Sequence, residues 1–112
     1  MISKELLSLV LGYNDIDTIY ELEENFICVT MYANLSRGTR EEDINLDTLG
    51  RLCKEWCWKQ GHTMNVQMSM DETLVYLGTV GIDIKAKSEL EAVFKATQWV
   101  AREKGLIWIN LN

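Results

Sequence analysis

Residues 63 to 70 impose the tightest geometric constraint in the chain. Met64, Val66, Met68 and Met70 alternate there with Thr63, Asn65, Gln67 and Ser69. Only a repeat of two separates these sets, so the segment reads as a strand with one face to a core and one to water. The four apolar residues are expected to face helices, with Asn65, Gln67 and Ser69 more exposed. Asp71-Glu72 then turns the chain, and Thr73 to Thr79 returns as a hairpin partner. Gly78 and Gly81 permit a bulge or bend before Ile82-Asp83-Ile84.

The flanking segments read as helices. Ser88-Glu89-Leu90-Glu91 is a capping box that places acids at the positive end of a helix, and Gly105 stops it. Leu90, Val93, Phe94, Ala96, Thr97, Val100 and Ala101 form its core side, with Trp99 half-buried at the margin. An earlier helix runs from about Leu46 to Gln60 before Gly61. Leu46, Leu49, Leu52, Cys53, Trp56 and Cys57 make its apolar stripe. A first helix extends from a Ser3 cap to Gly12, with Ile2, Leu6, Leu9 and Val10 on one side. After the turn at Asn14-Asp15-Ile16-Asp17, Thr18 to Glu23 and Phe26 to Tyr32 read as strands. The second is apolar on both faces and should be central. Residues 34 to 45 are the longest loop candidate.

The expected order is therefore αββαββα. Two hairpins among helices predict an α+β domain over residues 1–112, with an antiparallel sheet packed against helices. A chain of 112 residues can bury one core without a metal or disulfides. The final Ile107-Trp108-Ile109-Asn110-Leu111 is an apolar tail that fits a short strand, in place or exchanged with a second copy.

Composition narrows the function classes. Hydrophobic residues are 47% and charged residues 25%, which is globular composition. The net charge of −6 removes a global basic footprint, so direct nucleic-acid binding is not expected. No apolar run reaches the length of a membrane span. The start resembles a signal peptide only until Glu5 and Ser8 interrupt it, and it reads as an amphipathic helix. The three cysteines, Cys28, Cys53 and Cys57, do not form a secreted disulfide pattern, so a cytoplasmic protein is the expectation.

A catalytic constellation is not expected. His62 is the one histidine, and Cys53 and Cys57 fall on a buried stripe, where a nucleophile would need exposure and positive surroundings. The same three residues give C-x3-C-x4-H, to which Cys28 could add a fourth zinc ligand. Structural zinc sites more often use a short C-x2-C pair. Gly78-Thr79-Val80-Gly81 follows a strand but opens no helix, so it is no phosphate cradle. Ser36-Arg37-Gly38-Thr39-Arg40 is a small basic patch that reads as a solvated loop or a phosphate contact. No cofactor is expected.

Charge is distributed unevenly. Residues 1 to 49 carry three basic and ten acidic side chains, while the remainder carries eight and seven. Five acids, Asp15, Asp17, Glu21, Glu23 and Glu24, lie between Asn14 and Asn25 with no base among them. On one strand Asp17, Glu21 and Glu23 would share a face with Ile19, at a repeat of roughly 6.6 to 6.8 Å. Such a row could imitate the phosphates of a nucleic acid, or simply protect a sheet edge. Trp58 is out of place among Asp47, Arg51, Lys54 and Glu55. Three roles fit it: packing along the stems of Arg51 and Lys54, cover by a loop, or service as a binding anchor. The candidate partner-binding residues are thus Asp17, Glu21, Glu23, Glu24, Trp58 and Arg51.

The stretch Ser88-Glu89-Leu90-Glu91-Ala92-Val93-Phe94-Lys95-Ala96-Thr97-Gln98-Trp99-Val100, after an antiparallel sheet, resembles the last helix of many small phage and prophage proteins. The resemblance implies a small α+β protein. Some acidic members block host defence nucleases by occupying nucleic-acid sites. The leading expectation is a non-enzymatic protein-binding module for a basic surface, of this host-defence-inhibitor kind. The alternatives are a small-ligand or zinc-binding protein using Cys53, Cys57 and His62, and a structural homo-oligomer such as a homodimer.

Overall fold

The computed structural model describes residues 2–33, 38–70, 73–78 and 80–106. The first helix, α1 (Lys4–Leu11), has the caps expected of it. Ser3 Oγ accepts from the Leu6 N–H at 3.1 Å, and Gly12 takes a left-handed φ of 72°. The strands β1 (Ile16–Leu22), β2 (Phe26–Tyr32) and β3 (Thr39–Asn45) form one antiparallel sheet in the order β1-β2-β3. β2 is central, as expected, paired with β1 on one edge and β3 on the other. Glu24 and Asn25, both at positive φ, turn the chain between β1 and β2.

β3 corrects the expectation of a loop over residues 34 to 45. Its sequence is Thr-Arg-Glu-Glu-Asp-Ile-Asn, and among these residues only Ile44 is buried in the core. An edge strand needs little apolar alternation when its neighbour supplies the hydrogen-bonded ladder. Arg40, offered as part of a basic loop patch, lies 3.7 Å from Glu42 and reaches Met31 Sδ at 3.6 Å. Residues 34–37, which include the rest of that patch, lie outside the described residues.

Asn45 caps α2 (Leu46–Lys59), its Oδ1 accepting from the N–H groups of Asp47 and Thr48 at 2.9 and 3.1 Å. A second antiparallel sheet follows, ordered β4 (Met64–Met68), β5 (Thr73–Leu77) and β6 (Val80–Asp83). β6 is a full strand, where only a bend before Ile82 was expected. The last helix, α3 (Glu89–Glu103), is capped by Ser88 Oγ, which accepts from the Glu91 N–H at 3.1 Å. The Glu91 carboxylate reaches back to the Lys87 N–H, so the box closes one residue early. The domain is α+β as expected, but the order is α-β-β-β-α-β-β-β-α and there are two sheets.

Each sheet has its own apolar cluster. Ile27, Val29, Met31 and Ile44 pack with Leu6, Leu7, Leu49, Cys53, Val93 and Phe94. Val75, Leu77 and Ile84 pack with Cys57, Ala92, Ala96 and Val100. α2 and α3 feed both clusters, which is why Ala92 joins the core beside the residues expected there. Trp56, Met64 and Val66 pack against both. Each fully buried aliphatic side chain contributes roughly 1.5–3 kcal/mol relative to exposure. The helices approach closely at Gly50, where an added Cβ would stand 2.8 Å from Leu90 Cδ1.

The alternation at residues 64 to 70 has the expected phase but a shorter reach. Met64 and Val66 are half-buried against both apolar clusters, whereas Met68 is 46% exposed and Met70 fully so. The tail at residues 107–112 lies outside the described residues. Among those described, no helix is long and apolar enough to cross a membrane.

Candidate interaction site on the first sheet

Residues opposite one another in a ladder share a face. Ile27, Val29 and Met31 of β2 point into the core. The opposite face therefore holds the alternate residues and their partners. These are Thr18, Tyr20 and Leu22 on β1, Phe26, Cys28, Thr30 and Tyr32 on β2, and Thr39, Glu41, Asp43 and Asn45 on β3, with Thr30 itself buried. None of the apolar residues in this set belongs to either core cluster. Tyr20, Leu22 and Tyr32 are 57%, 44% and 58% exposed. The face grades from apolar on β1 to carboxylate on β3, with Cys28 opposite Tyr20 on one side and Asp43 on the other.

Electrostatics on this face follow from its acids. Tyr32 donates its hydroxyl to Asp17 Oδ1 at 3.1 Å, and that bond raises the phenol pKa. Partial burial, then a hydrogen bond to Asp43 and the charges of Glu41 and Asp43, push the Cys28 thiol up. These effects oppose formation of the thiolate there. On the core side, Tyr13 donates its hydroxyl to Glu42, tying the end of α1 to β3. Burial foremost, then this bond, raises Tyr13 to about 12.

The expected row of Asp17, Glu21 and Glu23 does not exist. A register shift between Ile16 and Thr18 breaks the alternation at Asp17. Ile19 and Glu21 lie opposite Val29 and Ile27, on the core side of the edge. Glu23 and Glu24 lie in the turn, and Glu24 adopts a φ of 62°. One extra residue reverses every side chain before it, which a period-two reading cannot anticipate. Glu41 and Asp43 supply the spaced carboxylates instead. Their i, i+2 spacing is the signal the sequence offers, in a segment whose polarity otherwise indicates a loop.

Arg51 and Trp58 belong to another surface. Trp58 is 66% exposed, so no described loop covers it. It stands about 18 Å along α2 from the helix start beside β3. Arg51 pairs with Glu55 at 2.6 Å and Lys54 with Glu89 at 3.3 Å.

The zinc set does not assemble either. Cys53 and Cys57 are both buried, and Cys57 Sγ donates to Thr97 Oγ1 at 3.6 Å. Thr97 in turn donates to the Val93 carbonyl at 2.7 Å. Burial pushes Cys53 up to about 12 and Cys57 upward too. His62 lies past the end of α2, and no group of three or more His, Cys, Asp or Glu among the described residues could hold a metal ion. A helix stripe brings thiols to the core and leaves a loop histidine outside it.

A cleft of about 270 Å³ between α1 and α3 is lined by Ile2, Leu6, Leu90 and Phe94, with the Glu91–Lys95 pair at its rim. The Ser3 and Ser88 hydroxyls that also line it cap α1 and α3. Comparison of the chain with protein-family models, curated proteins and solved structures finds no match.

Proposed function

We propose that this chain is a non-enzymatic protein-binding module whose first sheet docks on a basic, partly apolar protein surface. The observation that carries the reading is the open outer face, where exposed Tyr20, Leu22 and Tyr32 stand beside Glu41, Asp43 and Asp17. Tyrosines supply contact area at interfaces, and flanking charges steer encounter and select the partner. The charge excess of residues 1 to 49 favours approach from this side. The likeness of α3 to phage proteins makes a host nucleic-acid-binding protein the first partner class to test, with the acidic face seated in its basic groove.

The test is capture from host lysate with wild type, Glu41→Lys/Asp43→Lys and Tyr20→Ser/Tyr32→Ser run in parallel. The module reading expects a protein retained by wild type at low salt, released by high salt or added DNA, and lost from both double variants. All substituted residues are exposed, so melting temperatures should stay close to wild type. Retention that survives both double variants and high salt would remove the proposal. Loss on Trp58→Ala alone would place the partner on α2 instead.

A further inference from the structure

Four strands stand at sheet edges among the described residues: β1, β3, β4 and β6. Three carry devices that discourage another strand from adding. β1 has its register shift with Asp17 and Glu21, β3 has Arg40, Glu41, Glu42 and Asp43, and β6 is short and holds Gly81 and Asp83. β4 has none of these. Its sequence is Met-Asn-Val-Gln-Met, uncharged and regularly paired with β5 from Met64 to Met68.

The backbone phase of β4 is fixed by a neighbouring bond. The Gly78 N–H donates to the Thr63 carbonyl at 2.8 Å, so residues in phase with Thr63 bond to β5. Asn65 and Gln67 therefore spend their backbone groups on β5. The N–H and C=O groups of Met64, Val66 and Met68 point to the free edge, where no described strand lies. Residue chemistry along that edge is palindromic about Val66. Met64 mirrors Met68, and Asn65 mirrors Gln67.

We propose that β4 pairs antiparallel with β4 of a second copy, about a two-fold axis through Val66. Val66 meets its counterpart, and Met64 meets Met68 of the second copy, as hydrogen-bonded pairs that form about six backbone bonds. Asn65 then faces Gln67 of the second copy as a close pair, amide against amide. A two-fold axis repeats one patch on itself, so a palindromic, uncharged strand is matched by its own copy with no like charges opposed. Partly exposed Met68 gains an apolar neighbour across the axis. The acidic excess stays with residues 1 to 49, outside the interface, while residues 50 to 112 are almost neutral with eight bases against seven acids.

The experiment is sedimentation equilibrium of the full chain across the micromolar range, with amide hydrogen exchange on the same samples. A concentration-dependent dimer is expected, with the Met64, Val66 and Met68 amides protected as the dimer forms. Asn65→Lys/Gln67→Lys sets lysines against lysines across the axis and should weaken the dimer by about tenfold or more. Asn65→Glu/Gln67→Glu should do the same, and mixing the two variants should restore a dimer. These side chains are exposed, so circular dichroism should remain native for both. The proposal is overturned if wild type stays monomeric at high micromolar concentration. It is equally overturned by a dimer that ignores both charge variants, or by protection of the three amides in the monomer, which would mean that another strand occupies the edge.

Discussion

Thr97 shows how a single hydroxyl settles a buried sulfur inside a core. It is fully buried, accepts from the Cys57 thiol and donates to the Val93 carbonyl, leaving no described buried side-chain N or O without a partner. Because burial disfavours the thiolate, the Cys53 pKa rises from 9.0 to about 12 in the folded chain. The unfolded chain therefore loses that proton at lower pH than the folded one. Stability is fully present below about pH 9 and falls as the pH climbs toward 12, with Tyr13 adding to the fall above about 10. Urea unfolding at about pH 8 and about pH 10 should show a lower free energy at the higher value. A flat profile across that window would mean the thiol is solvated in the native state.

β4 is the element in which pattern and packing part company. Its inward face is the one the alternation indicates, yet of its apolar row only Met64 and Val66 pack against the clusters. Val66 packs against both clusters, so Val66→Asp buries an unpaired carboxylate and should cost about 2 kcal/mol or more. Met70 is fully exposed, and Met70→Ser should change stability by no more than about 0.5 kcal/mol. Chemical denaturation of the two variants separates these outcomes. Equal destabilisation would show that the apolar row is covered along its whole length.

The whole molecule extends 47 Å along its longest axis, with two sheets and two apolar clusters. Such a shape invites separate melting of its halves. Shared packing of Trp56, Met64 and Val66, and the passage of α2 and α3 through both clusters, oppose it. Unfolding should be a single transition, with calorimetric and van't Hoff enthalpies in agreement and tryptophan fluorescence coincident with far-ultraviolet circular dichroism. Two resolved transitions would show that the sheets form independent units.

Local chemistry determined the three helices and the caps of α1 and α3. Ser3, Gly12, Ser88 and Gly105 act on the backbone within a few residues, and an amphipathic stripe needs only its own period. The burial of Cys53 and Cys57 was legible for the same reason. Other features depended on distant chain. β3 became a strand because β2 lends it a ladder, and Asp17 left the acidic row because a register shift, set by pairing, breaks the alternation there. Tyr20, Tyr32, Glu41 and Asp43 meet on one face only after three strands align. A period records which face a side chain takes, but the register of neighbouring strands and the position of the apolar clusters decide what that face meets.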